Sequence, residues 1–190
     1  MMKDLGIKGT SYGYPMPTLM VATYNKDGSV NVMNLHWCTM NEDKHLVCCI
    51  GESKKTHENI ERTGAFTVAP ATKELMAQID YLGTMTGYRV PDKFEKTGLN
   101  AIKSEYVNAP IIEGSPFVYE CELAEIILTE NTHAVTGKII GFSADETVLN
   151  ENGQIDTEKA EIIFFDSFSS SYVTLGEKVG KAWNEGKKYI

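Results

Sequence analysis

The sequence lacks a long apolar run. No stretch of 18 apolar residues occurs, so no membrane-spanning helix is expected. Positive charge is scarce as well: 18 Lys and Arg stand against 26 Asp and Glu, a formal charge of -8. The densest basic stretches are only Lys54-Lys55 and Lys187-Lys188. Phosphate contacts dominate nucleic-acid affinity, so no nucleic-acid partner is expected. An anionic membrane surface is excluded on the same ground. Cysteine is sparse: four residues, at 38, 48, 49 and 121, with no C-x-x-C. That is not a disulfide-built secreted scaffold, and all four are expected to be reduced. The opening Met1–Gly6 has no apolar h-region, so the expected compartment is the cytoplasm. No G-x-G-x-x-G opens a helix after a strand, and no P-loop is present.

What is there reads as strands with a few helices between them. The 190 residues predict a single domain over 1–190, large enough to bury roughly two thirds of its unfolded surface. Thr18–Tyr24 is an apolar, β-branched run, and Asp27-Gly28 turns it back into a return strand over Ser29–Thr39. Leu46–Gly51 and Ala65–Ala69 follow, the second stopped by Pro70. Cys48 and Cys49 are adjacent and fall on opposite strand faces. Helices are predicted over Thr56–Thr63, ended by Gly64, and over Thr72–Leu82, with Thr72 as N-cap and Gly83 closing it. Lys93–Gly98 adds a helical turn. Phe117–Leu123 alternates apolar and charged residues, and the phase slips at Glu125, which predicts a bulge before Ile126–Leu128. Thr132–Ser143 and Ile162–Phe165 complete about seven strands. Beyond Tyr172 at most a short helix is expected. The pattern points to a mainly β fold with inserted helices, an antiparallel barrel closed or partly closed.

Three polar islands interrupt it. The first, Asn31–Thr39, places Asn34, His36 and Cys38 on one face by period two, with Leu35, Trp37 and Thr39 on the other. It presents amides to a flat heteroaromatic ligand, or else simply faces solvent around a buried Trp37. The second, Gly51–His57, joins a strand to a helix N-terminus. Unpaired N–H groups there, with Ser53, Lys54, Lys55 and Thr56, suit a phosphate. Taken alone, the segment also reads as ordinary capping by Ser53 or Thr56 with two solvated lysines. The third, Gly83-Thr84-Met85-Thr86-Gly87 followed by Lys93, permits close backbone approach at its glycines or is a plain surface loop.

The order of these pieces carries a likeness. An apolar strand, an Asp-Gly turn, Asn-x-Met-Asn-x-His-Trp, Ser-Lys-x-Thr at a helix start, Gly-x-Phe, and Gly-Thr-x-Thr-Gly before Asp-Lys-Phe resemble the flavin reductase-like, FMN-binding split-barrel family. The flavoredoxin-type members are most similar. Thr97-Gly98-Leu99, Ala109–Glu113, Glu120-Cys121, Gly137–Ile140 and Tyr172–Glu177 match as well, so the likeness spans about Met16 to Gly180. It implies FMN in a groove at a homodimer interface. Asn34, Leu35, His36 and Trp37, with Thr39 beside them, stand where the family lines the ring and ribityl chain. Ser53, Lys54, Lys55 and Thr56 stand at the phosphate. Gly83, Thr84, Thr86 and Gly87 stand at the ring edge, and Lys93 in the family's Asp-Lys-Phe. Two departures matter. Many relatives carry Thr-x-Ser-Trp at Asn34–Trp37 and Arg-x-Thr at Lys54–Thr56. Lysine keeps the charge but not the bidentate fork, and His36 adds a titrating group.

A flavin does its own redox chemistry while the protein binds and orients it. The resemblance therefore implies an oxidoreductase moving hydride or electrons through FMN, with NADH, NADPH or a redox protein partner as donor. It names no catalytic side chain. The rival reading is an electron carrier without nicotinamide turnover. A zinc site built on His36 and Cys38 lacks the paired spacing such sites use, and His133 has no assigned role.

Overall fold

The structure is a computed structural model that describes residues 1–6 and 13–190. After the two-residue β1 (Met16–Pro17), β2 (Leu19–Tyr24) turns back through Asp27-Gly28 into β3 (Val30–Leu35). Asp27 accepts from the Ser29 amide at 3.0 Å and fixes the turn. The return strand predicted over Ser29–Thr39 then breaks. Cys38 N–H bonds the His36 carbonyl at 3.1 Å, a three-residue turn centred on Trp37. β4 (Cys38–Met40) and β5 (His45–Cys48) form the next hairpin. Helix α1 (Lys55–Thr63) ends at Gly64 in the left-handed conformation, as predicted. β6 (Ala65–Pro70) includes Pro70 rather than stopping before it.

Helix α2 (Met76–Thr84) begins later than predicted. Thr72 accepts from the Leu75 amide at 3.4 Å but closes only a turn. Its own backbone bridges Ile162, and Lys73 N–H bonds the Glu161 carbonyl, so this stretch is committed to the C-terminal strands. Gly83 lies inside α2 instead of closing it. A 3₁₀ turn over Glu95–Thr97, a small hairpin of β7 (Ala101–Lys103) and β8 (Pro110–Ile112), and the long β9 (Phe117–Leu128) and β10 (His133–Ala144) follow. The predicted bulge is present: Thr136 faces Glu125 while Gly137 faces Leu123, so Ala124 is the extra residue. β11 (Ile163–Asp166) pairs with β1 and with β12 (Ser171–Thr174), a strand the sequence did not suggest.

The main sheet runs β3-β2-β6-β9-β10-β5-β4, antiparallel throughout. Its two edge strands, β3 and β4, are consecutive in the chain. Laid flat, seven strands would hold their edges roughly 29 Å apart. Leu35 and Cys38 are three Cα steps apart, about 11 Å at most. The sheet must therefore curl until its edges nearly meet, yet among the described residues no ladder joins them. That is a split barrel, with its seam at His36-Trp37.

Both sheet faces are covered, which is why β2 reads as continuously apolar. Val21, Leu35, Cys48, Phe66, Val68 and Val135 fill the barrel, and Ile60 of α1 packs with them. Met20, Ala22, Val32 and Ala69 face outward onto Ile79 and Leu82 of α2 and onto Phe94. A buried polar network pins α1 to the first hairpin. Asn31 donates to Thr56 (2.9 Å) and Thr23 (3.3 Å), and Asn59 donates to Thr23 (3.1 Å) and Asn25 (2.9 Å). Among the described residues no helix is long and apolar enough to cross a membrane.

Candidate functional site

A cavity of about 450 Å³ opens along the seam, between the end of β3, the N-terminus of α1 and the C-terminal end of α2. This volume lies within the range of small-molecule and cofactor sites. All three polar islands meet there. Asn34, Leu35, His36 and Trp37 line it from the seam, Lys54, Lys55 and Thr56 from α1, and Gly83, Thr84, Thr86, Gly87 and Lys93 from α2 and its following loop. Thr39 and Ser53 do not line it. Thr39 has passed the seam turn and belongs to the exposed edge strand, and Ser53 points to solvent ahead of the helix.

The face assignment from strand periodicity fails here. Alternation separates Asn34 and His36 from Leu35 and Trp37, but all four border the cavity because the strand ends at Leu35. Leu35 also packs into the barrel core. His36 stacks on Phe165 with centroids 4.6 Å apart and meets Trp37 edge-on. Burial lowers the His36 pKa below its ordinary value, against an opposing bond with the Pro17 backbone. Trp37 remains 44% exposed, not buried.

The α1 end is electropositive. Its N-cap is Lys54, in an extended conformation and with no side-chain cap. Ser53 makes no capping bond, and Thr56 accepts from Asn31 instead. The first amides of α1 therefore point toward the cavity end without a side-chain acceptor, at the positive end of the helix dipole. Lys55 is tied to Glu58 at 2.7 Å, and Glu58 also accepts from Tyr88 at 2.7 Å. Lys54 has no such ion pair among the described residues.

Lys93 is the most unusual group. It is 3% exposed, yet among the described residues no carboxylate pairs with it. Its Nζ donates to the carbonyls of Leu82 (2.8 Å) and Met85 (3.0 Å), at the negative end of α2. One of its three protons is left over. Burial, with Lys54 nearby adding to it, pushes its pKa down to about 8.

Two glycines set the cavity's shape. A Cβ at Gly83 would stand 2.8 Å from Asn34 Cβ, so α2 lies against β3 only because that position is bare. A Cβ at Gly87 would stand 2.7 Å from Asn31 Oδ1 and 3.3 Å from the Lys55 stem. Asn34 Oδ1 is buried without a partner among the described residues.

Sequence reasoning missed Asp80 and Tyr172. Tyr172, brought in by β12, donates to Asp80 at 2.9 Å, and both line the cavity. Burial and Asp80 push the Tyr172 hydroxyl up to about 12. Asn31 and Gly51 were inside the polar islands but not singled out as lining residues. A polar Asn31 within an otherwise apolar strand was the available signal.

Fold and cavity together define a split-barrel protein with an anion-attracting helix terminus facing an aromatic wall. Residues 11–160 match the flavin reductase like domain, and the chain belongs to that family. It is similar to the flavoredoxin of Desulfovibrio vulgaris (Miyazaki F): 28% identity, a TM-score of 0.90, and 98% and 100% of the two chains covered. A flavoredoxin structure from Methanosarcina acetivorans superposes with a TM-score of 0.88 at 24% identity, covering all of both chains. An uncharacterised protein of Archaeoglobus fulgidus is 31% identical over 176 residues, 91% of this chain and 96% of its own.

Proposed function

We propose that this chain holds FMN in the seam cavity and acts as an oxidoreductase that moves hydride or electrons through it. One observation carries the reading. A single cavity joins an uncapped helix N-terminus, flanked by Lys54 and Lys93, to an amide-and-aromatic wall at Asn34–Trp37. The donor set suits a phosphate: the first α1 amides, the Lys54 ammonium, the hydroxyl proton of Thr56 and the unused proton of Lys93. The Trp37, His36 and Tyr172 side suits a flat ring, with Gly83 and Gly87 allowing backbone approach.

FMN, when bound, supplies the electron-accepting ring. The chain's own residues do the rest. Lys54 and the α1 amides hold the anionic end, which fixes how far the ring end extends along the seam. Lys93 balances charge without a competing carboxylate. The Asn31–Thr56 bond keeps the helix terminus in place during turnover. NADH or NADPH is the proposed transient donor. A homodimer belongs to the same reading, because Trp37 is half exposed at the cavity and a second copy would cover it. The flavoredoxin-named relative supports a second reading, an FMN-holding electron carrier without nicotinamide turnover.

The visible spectrum of the isolated protein, followed by titration with FMN, tests the binding. A colourless protein that leaves FMN fluorescence unquenched refutes it. Steady-state assays with NADH and NADPH separate reductase from carrier, and sedimentation tests the dimer.

A further inference from the structure

Cys38 and Cys48 stand outside the cavity lining, at the start of β4 and the end of β5. They are cross-strand partners. On one side of the pair, Cys49 N–H bonds the Trp37 carbonyl at 2.8 Å; on the other, Asn41 N–H bonds the His45 carbonyl at 2.9 Å. Counting in twos between those bonds leaves Cys38 and Cys48 as a non-hydrogen-bonded pair. Opposed side chains of antiparallel strands approach most closely at such positions. The two sulfurs are 3.0 Å apart and both thiols are free. Bonding them needs only about 1 Å of further approach. β4 is a three-residue edge strand, so the movement has little sheet to resist it.

The two thiols differ in access. Cys38 is half-buried, whereas Cys48 is sealed in the barrel core. The Cys38 hydrogen bond and burial push the Cys48 thiol well up. Cys38 is thus the sulfur that solutes meet and Cys48 the thiol waiting behind it. Cys121, the other buried thiol, is on β9 and is pushed up to about 12 by burial.

We propose that Cys38 and Cys48 form a reversible cross-strand disulfide when the protein meets hydrogen peroxide. Cys38 sulfur attacks the peroxide oxygen, the O–O bond breaks, and water leaves, giving Cys38 sulfenic acid. Cys48 sulfur then attacks Cys38 sulfur, the S–O bond breaks, and a second water carries off the Cys48 proton. Two thiols lose two electrons, and the peroxide takes them. The bond sits directly behind Trp37 and Cys49, both of which line the cavity, so it staples one wall of the seam. The inference rests on the β4–β5 geometry and not on any flavin.

The test uses the purified full chain and hydrogen peroxide. After treatment the protein is denatured, alkylated and digested with trypsin. Free thiols are expected to fall from four to two, with peptide 27–44 linked to peptide 45–54. Dithiothreitol should restore all four. Cys49→Ser should still form the link and fall from three thiols to one. Cys38→Ser, with Cys38→Ala as a second variant of the same site, should keep its remaining three. Survival of all four wild-type thiols overturns the proposal. So does a link that persists without Cys38, a link that disappears with Cys49→Ser, or Cys38 oxidised to sulfinic acid while Cys48 stays alkylatable.

Discussion

The two ends of the cavity are built in opposite ways. The α1 end comes mainly from one short stretch of chain, Gly51–His57, joined by Lys93 from the loop after α2, and it is held by a buried network of Asn31, Thr23, Thr56 and Asn59. The seam end is assembled from distant pieces: His36-Trp37 from the barrel edge, Phe165 from β11, and Tyr172 from β12. One end carries charge and fixed amides; the other carries ring faces and a phenol. The same cavity joins an amide-and-lysine end encoded largely by one stretch of chain to a surface created only by tertiary folding.

FMN and riboflavin differ by the phosphate, so their ratio of affinities measures the two ends separately. The largest effect is expected from Lys93→Met. Losing a buried charge-assisted contact costs about 2 kcal/mol. FMN binding should weaken roughly 30-fold by fluorescence titration, with riboflavin nearly unchanged; equal losses for both would dissolve the distinction between the ends. Asn31→Ala should lower stability by about 2 kcal/mol in urea unfolding, because it leaves the buried Thr56 hydroxyl without its donor. No shift in the midpoint would mean that the α1 end is not held by this network.

Lys93 also predicts a pH effect. With its pKa near 8, it is mostly charged at pH 7 and mostly neutral at pH 9. FMN affinity should therefore fall several-fold across that interval while riboflavin stays flat, and Lys93→Met should remove the difference. The sign reverses for folding. Above pH 8 the native lysine has shed its proton while the unfolded one, at about 10.5, has not, so the ligand-free fold gains stability up to that pH. Smallest is Tyr172→Phe, which removes an exposed bond to Asp80 worth about 1 kcal/mol or less. It should weaken FMN and riboflavin alike, a few-fold at most. A selective loss of FMN would place the phenol at the wrong end.

Legibility in the sequence follows the same division. The Asp27-Gly28 hairpin, the α1 terminus at Gly64 and the bulge near Glu125 rest on residues close in the chain, and all were readable. The N-terminus of α2 was not, because Thr72 is claimed by Ile162, ninety positions away. Continuous period two across Asn31–Thr39 misplaced Trp37, since nothing local announces that the strand ends at Leu35 and resumes at the far edge of the sheet. Of the residues singled out within the polar islands, twelve line the cavity. Asp80 and Tyr172 went unseen, because an isolated Asp on a helix and a Tyr in a C-terminal segment gain meaning only when β12 brings them together.

The seam has a kinetic consequence. Among the described residues, β4 pairs in the sheet only with β5, and beyond β4 the strand β5 pairs only with β10, whose partner residues lie roughly 90 positions further along. Loops of that span close slowly and late. Trp37 should therefore reach its native setting near the end of folding, after the β2–β3 hairpin and the β9–β10 ladder exist. Substitutions at the seam should accelerate unfolding while leaving the refolding rate almost untouched.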